Sequence, residues 1–271
     1  MASARLLADI DSCQVNSGEL ALWWLGQHSF IAKFGRTIVY LDPFLTPLKG
    51  RAVPPLLAPN EIAHADLIFG THDHADHIDR PVWPALAKAS PRARFVVPAL
   101  LKKRLANELG IPDERFIGLD DGQSVTAGGL KISAVAAAHE FLDQDPRTGQ
   151  YPYLGYILEG NGCTLYHAGD CCIYEGLQTK LRQWKIGVAL LPINGRDAVR
   201  YASGCIGNMT YQEAADLAGA IEAGLAIPAH YDMFAANSAD PRAFTEYMRV
   251  KYPARKTHVC EYATRLVWKA R

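Results

Sequence analysis

The sequence predicts an α/β protein in which two mixed β-sheets face each other and helices cover their outer sides. Short apolar runs of strand length alternate with helical periods from residue 20 onward, and a β-meander followed by a β/α stretch occurs twice. No part of the 271 residues shows the composition shift of a flexible linker, so the expected organisation is one domain spanning 1–271. A chain of that length buries a substantial core, and each sheet needs helices on its second face.

Residues 1–19 place Leu6, Leu7 and Ile10 among small and polar residues, which predicts a leading helix or an arm packed on the main body and a contact for a homo-oligomer. Residues 20–25 and 30–34 read as strands around the Gly26-Gln27-His28-Ser29 turn, and 37–41 as a third strand closed by Asp42-Pro43. Residues 43–60 are rich in proline and lack a period, the pattern of a long ordered loop that covers a site. The apolar strand 67–70 runs into Thr71-His72-Asp73-His74-Ala75-Asp76-His77, and a helix starts within 80–86. Strand 95–98 precedes an amphipathic helix at 100–109 stopped by Gly110, on which Lys102, Lys103 and Arg104 form a solvated face.

Strands follow at 116–119, 124–125 and 131–135, the last leading to His139. Residues 141–153 have turn chemistry, and strands resume at 153–158, at 164–170 ending on Asp170, and at 188–195. A helix over 211–224 leads to strand 225–228, which ends at Ala229-His230-Tyr231-Asp232. A last helix over 241–252 and a closing strand over 257–267 complete the expected order.

The 28 basic and 28 acidic residues balance, which excludes binding of long nucleic acid or an anionic membrane by overall field and points to a small-molecule partner. No basic leader with a cleavage site is present, and no apolar run approaches the roughly 18 residues of a membrane span, so a cytoplasmic location is expected. The six cysteines, at 13, 163, 171, 172, 205 and 260, lack CxxC spacing and read as reduced thiols, the adjacent Cys171-Cys172 included.

Chemistry concentrates in the histidine loop. Imidazoles and carboxylates gathered beside an apolar strand lose hydration, and a cation is the natural compensation. Strand ends carry His72, His74, Asp76 and His77, then His139, Asp170 and His230. This donor set suits zinc, manganese, iron or nickel, whereas calcium or magnesium calls for oxygen donors. Residues two apart in extended chain point the same way, so His72 and His74 can share one ion with His139. Asp76 and His77, beyond the bend, can share a second with His230, and Asp170 can bridge. Two ions about 3.5–4 Å apart are an arrangement for metal-assisted hydrolysis.

The run His72-Asp73-His74-Ala75-Asp76-His77, with His139, Asp170 and His230 following in order, resembles the HxHxDH motif set of the metallo-β-lactamase fold superfamily. That resemblance implies a four-layer αββα sandwich with a binuclear site at one edge. Trp24-Leu25-Gly26-Gln27, Tyr166-His167-Ala168-Gly169-Asp170, Leu191-Pro192-Ile193-Asn194-Gly195-Arg196-Asp197, Gly207-Asn208-Met209-Thr210 and Pro228-Ala229-His230-Tyr231-Asp232-Met233-Phe234 are similar to the L-ascorbate-6-phosphate lactonase family of manganese-dependent hydrolases. The likeness implies opening of a small phosphorylated or carboxylated lactone with two divalent ions, manganese or zinc, iron also being accommodated. Asp170 would hold the ions together and Asp76 would steer the attacking water or shuttle its proton. Phosphodiester cleavage of a cyclic or short nucleotide is the alternative within the same chemistry. A flavin-linked di-iron oxidoreductase would favour an acid where His74 stands. A non-catalytic metal- or ligand-binding protein on the same fold has no need of the complete set.

Arg196 and Arg200, after the strand at 188–195, are candidates to hold a substrate anion together with Asn194, with surface ion pairing as the competing role. His28 suits either the wall of the site or a local turn bond, and Tyr231 either substrate contact or the turn that presents His230. Asp42 suits a carboxylate that orients a ligand imidazole or a turn cap, His167 a similar supporting place, and His64 and His258 have no polar partner nearby in sequence.

Overall fold

The computed structural model describes residues 2–270. Helix α1 (Ala2–Ser12) leads into the meander β1 (Glu19–Gly26), β2 (Ser29–Phe34) and β3 (Thr37–Leu41). Beyond the long loop, β4 (Leu67–Phe69), α2 (Trp83–Ala89), β5 (Arg94–Pro98), α3 (Ala99–Leu109) and β6 (Phe116–Leu119) alternate. The second half repeats the plan with β7 (Ser124–Ala127), β8 (Leu130–Ala136), β9 (Leu154–Gly160) and β10 (Cys163–His167). After these come α4 (Leu177–Leu181), β11 (Val188–Pro192), α5 (Ala198–Ala202), α6 (Tyr211–Ala220) and β12 (Leu225–Ala229). Helix α7 (Pro241–Lys251), β13 (Lys256–Thr257) and β14 (Arg265–Lys269) close the order.

The strands form two seven-stranded sheets, β14-β1-β2-β3-β4-β5-β6 and β13-β12-β11-β10-β9-β8-β7. Each is antiparallel through its meander and parallel beyond it, the change falling at β3–β4 in one and β10–β11 in the other. Alternate strands of a meander run the same way as the parallel strands that follow. The ends of β1, β3, β4, β8, β10, β11 and β12 therefore point in a common direction within their sheets, and the polar residues that follow them collect at one edge.

Apolar side chains alternate strictly along β1. Leu20, Leu22 and Trp24 face the space between the sheets, while Ala21, Trp23 and Leu25 face the outer helices. A strand buried on both faces needs a nearly continuous apolar run, and β1 has one. Phe69 of one sheet meets Tyr156 of the other with ring centroids 5.1 Å apart. On the outer face of the first sheet Ile10, Trp83 and Leu105 cover Ile31, Ile68 and Phe95. Leu217, Phe244 and Met248 of α6 and α7 join the core of the second.

Some expectations are met and others are revised. The leading segment is a helix of the outer layer: Leu6 and Ile10 are buried, Trp23 Nε1 donates to Asp9 Oδ2 at 2.8 Å, and Lys33 Nζ donates to the Ile10 carbonyl at 2.6 Å. The closing strand at 257–267 divides in two, β13 pairing with β12 in one sheet and β14 with β1 in the other. Residues 258–264 cross between them, with Tyr262 stacked on Trp24 at 4.8 Å. The helix predicted over 211–224 ends at Ala220. Helices α4 and α5, five residues each, are too short to register as a period. All six cysteines are free, and no helix among the described residues is long and apolar enough to cross a membrane.

The crossing of β14 tightens the far end of the sandwich, where the Trp268 indole lies over Gly187 and Gly224. A Cβ on Gly224 would meet the Gly187 carbonyl at 2.8 Å and Trp268 Cζ2 at 2.8 Å. Overpacking of this kind costs about 1–3 kcal/mol, so Gly224→Ala is expected to lower Tm by roughly 2–10 °C in a scanning calorimetry trace. A Tm within one degree of the wild type would show that Trp268 moves aside freely.

Candidate metal centre

The histidine loop leaves β4 through Gly70, where a Cβ would lie 2.5 Å from Ile78 Cγ1. This close approach lets the loop fold back. The amides of His77 and Ile78 donate to the His74 carbonyl at 3.1 and 2.8 Å, a turn that divides the loop into two limbs. His72 and His74 stand on one limb, Asp76 and His77 on the other. The remaining residues of the cluster come from the ends of β8, β10 and β12. His230 has a φ of 57°, a left-handed conformation that makes the chain turn sharply after β12.

Two groups of donor atoms result: His72, His74, His139 and Asp170 in one, and Asp76, His77 and His230 in the other, with the atoms of each within 4.8 Å of one another. In the first, His72 Nε2 and His139 Nε2 lie 3.0 and 3.2 Å from His74 Nδ1. Asp170 Oδ2 is 4.0 Å from His72 Nε2 and 3.6 Å from His139 Nε2. In the second, Asp170 Oδ1 is 3.2 Å from both His77 Nε2 and His230 Nε2, and Asp76 Oδ2 is 3.6 and 3.5 Å from the same nitrogens. One carboxylate thus addresses both groups, one oxygen to each.

These residues fit a bound cation. His77 Nε2 and Asp170 Oδ1 are buried without a hydrogen-bond partner. Imidazole nitrogens facing each other at 3.0 Å direct lone pairs at one point unless a proton or an ion lies between them. Donors that share an ion with bonds of about 2.1 Å lie roughly 3.0–3.4 Å apart, close to the spacing in both groups.

The charge environments of the two groups differ. Burial, reinforced by His77, holds His72 well below the ordinary imidazole value, and burial pushes His139 down to about 4. Burial also opposes charge on His77 and His230, but Asp170 and Asp76 outweigh it. His77 is raised well above the usual range and His230 goes up to about 10. For Asp170, burial favours the neutral acid, while His230 and His77 prevail and keep it ionised.

Behind the cluster lies Asp42, which follows β3 and is 0 % exposed. It accepts from the Thr71 amide at 2.9 Å, from Thr71 Oγ1 at 2.8 Å and from His77 Nδ1 at 2.6 Å, and stands 3.0 Å from His167 Nε2. A carboxylate on Nδ1 fixes the tautomer of His77 and aims Nε2 forward. Of the two roles open to Asp42 in the sequence, the structure shows orientation of an imidazole. Burial would raise its pKa, but His77 and His167 hold it far below the usual carboxylate range.

The proposed substrate contacts are placed differently. His28 is 0 % exposed and packs edge-on against His167 at 4.3 Å, behind the cluster and not on its wall. Tyr231 is buried, its ring 5.4 Å from Trp24. The two terminal nitrogens of the Arg196 guanidinium donate to Glu213 at 2.8 Å, and one also donates to the Asn208 carbonyl. Arg200 is held by Asp197, by the Asn194 carbonyl and by Asn237. Asn194 is buried between Asn208 and Asn237. These groups tie the loop after β11 to α6 and to the turn after β12, so both guanidinium groups already have protein partners. His64 does have polar partners, Asp11 at 2.6 Å and Tyr40 Oη at 2.8 Å, brought from other elements. Sequence reasoning missed Tyr153, whose half-buried ring lies 5.3 Å from His139 and 5.5 Å from His72, and Gln27, whose amide enters the second group. Tyr153 gave no signal beyond starting a strand, and Gln27 lay in a Gly-Gln-His turn whose histidine drew attention instead.

Comparison with known proteins adds a family. The family description "Beta-lactamase superfamily domain" matches residues 37–231. A UPF0173 metal-dependent hydrolase of Sulfurisphaera tokodaii is 30% identical over 225 residues, 83% of this chain and 90% of that protein. A protein of the same description from Sulfolobus acidocaldarius is 33% identical over 175 residues, 65% of this chain and 72% of its own length. Among solved structures, Igni18, described as a metallo hydrolase from Ignicoccus hospitalis, superposes with a TM-score of 0.74 at 22% identity, covering 93% of this chain and 100% of that one, a likeness of fold.

Two outcomes test the geometry. Asp42→Asn is expected to weaken binding of manganese or zinc by roughly 10- to 100-fold in competition with a chelator, since residues that orient metal ligands have effects of that size; unchanged affinity would leave Asp42 as a turn cap alone. Arg196→Met is expected to lower Tm by about 2–4 °C through loss of a half-exposed ion pair worth about 1 kcal/mol, with metal content unchanged.

Proposed function

This chain belongs to the beta-lactamase superfamily and is a metal-dependent hydrolase, and on that premise we propose that it opens a small lactone by hydrolysis at the two-part His/Asp centre. The observation that carries the reading is the Asp170 carboxylate, with Oδ2 turned to the first donor group and Oδ1 to the second. His72, His74 and His139 with Asp170 would hold one divalent ion, and Asp76, His77 and His230 with Asp170 another, manganese or zinc by the nature of the donors. Ions bound there lower the pKa of water and polarise an acyl oxygen.

The chain's own residues supply the rest. Asp170 keeps the two groups at a fixed separation, and Asp42 fixes His77 from behind. The Asp76 side chain is 23% exposed, the most open carboxylate of the cluster, and is placed to pass a proton between the site and solvent. Tyr153 forms a wall beside the first group. The lactone is favoured by the stretches around Asp170, Asn194 and His230 that resemble the lactonase family. Arg196 and Arg200 are paired with Glu213 and Asp197, so a charged group on the substrate would have to compete with these carboxylates for them.

Protein stripped by a chelator and reloaded with manganese or zinc should be assayed on neutral lactones, phosphorylated lactones and a cyclic nucleotide. Metal-restored lactone opening is expected, with a loss of roughly 100-fold or more in kcat for Asp170→Asn. Turnover of the phosphodiester alone would overturn the lactone reading in favour of a phosphodiesterase, and metal-loaded protein inert on the whole panel would favour a binding role.

A further inference from the structure

The side-chain amide of Gln27 lies inside the second donor group. Gln27 follows β1 and is 1% exposed. Its Nε2 stands 2.9 Å from Asp76 Oδ2 and 3.2 Å from His230 Nε2, and its Oε1 is buried without a hydrogen-bond partner. The backbone is held from three directions. Its amide donates to Asp232 Oδ1 at 3.0 Å, and its carbonyl accepts from the His230 amide at 2.9 Å and from Trp24 Nε1 at 3.1 Å. Its φ of 52° lies in the left-handed region, which a residue other than glycine keeps only when its surroundings enforce it. The side chain is therefore anchored in the cluster.

A primary amide carries a carbonyl oxygen on one edge and an NH2 on the other, and a half-turn about its last bond exchanges them. With the NH2 inward, as here, it donates to Asp76 Oδ2 and stands against His230 Nε2, two atoms that a cation would need. With the oxygen inward, the orphaned acceptor gains a positive partner. The position now held by Nε2, which Oε1 takes after the half-turn, lies 2.9 and 3.2 Å from those atoms, close to the roughly 3.0–3.4 Å between donors around one ion with bonds of about 2.1 Å.

We infer that Gln27 is a ligand of the second metal position and also its plug, with the NH2 on Asp76 and beside His230 when no ion is present and Oε1 on the cation when one is. This rests on the reading of the cluster as a metal centre. The two positions then differ in chemistry. The first offers three imidazoles and one carboxylate oxygen; the second offers two imidazoles, two carboxylates and an amide oxygen. An oxygen-rich set shifts preference from zinc towards manganese. The second position also fills later, because the amide must turn before the ion can enter.

Metal-free wild type, Gln27→Leu and Gln27→Asn should be titrated with manganese. Free Mn2+ is followed by electron paramagnetic resonance, bound metal is counted by elemental analysis, and Tm is measured for each variant. Two ions per chain binding in sequence are expected for the wild type. The Leu variant should keep the first at unchanged affinity and bind the second at least 10-fold more weakly. If Gln27→Leu does not fold, Gln27→Asn carries the test, since its amide is drawn back by one methylene and the same loss is expected. A variant that binds its second ion as tightly as the wild type or more tightly, or a wild type that holds only one, overturns the inference. A wild type that takes up neither manganese nor zinc overturns the metal centre itself.

Discussion

A buried carboxylate underlies the whole site. Asp42 has no exposure to water, and an ion in such a place would be strongly unfavourable without partners. It has them on every side: the backbone and hydroxyl of Thr71, the Nδ1 of His77, and the Nε2 of His167. These partners come from the ends of two strands, β4 and β10, and Asp42 itself from the end of a third, β3, so the bonds that keep the charge tolerable also lock the histidine loop to both sheets. The imidazole that faces the cluster is aimed by the group least visible from it.

The fold makes this convergence possible through strand direction alone. Each sheet begins as a meander and continues as parallel strands, so every second strand of the meander points the same way as those that follow. Seven residues separated by as many as 158 positions, from His72 to His230, meet at one edge as a result. Apolar packing between the sheets, with Phe69 against Tyr156, sets the distance over which they meet.

Electrostatics then separates the two halves of the cluster. In the first, burial keeps His72 and His139 neutral; in the second, carboxylates favour positive charge on His77 and His230. The loop after β11 carries two arginines whose charges are balanced by Glu213 of α6 and by Asp197.

The histidine loop, the apolar strands and the repeated meander were legible in the sequence because each depends on neighbours a few residues apart: a two-residue period, a run of buried strand, a turn. The long helices α3 and α7 were legible for the same reason, while α4 and α5 were too short to show a period. What depends on distant residues was not. The division of residues 257–267 between opposite sheets, the burial of His28 and Tyr231, the partners of His64, the pairing of Arg196 with Glu213 and the entry of Gln27 into the cluster all arise from contacts between separate elements. The sequence by itself determined the donor types and the succession of strands along the chain as far as β12. Only the tertiary structure decided which side chains face the site, because orientation at a strand end is set by hydrogen bonds from other strands, here those of Asp42 to His77 and of Asp232 to Gln27.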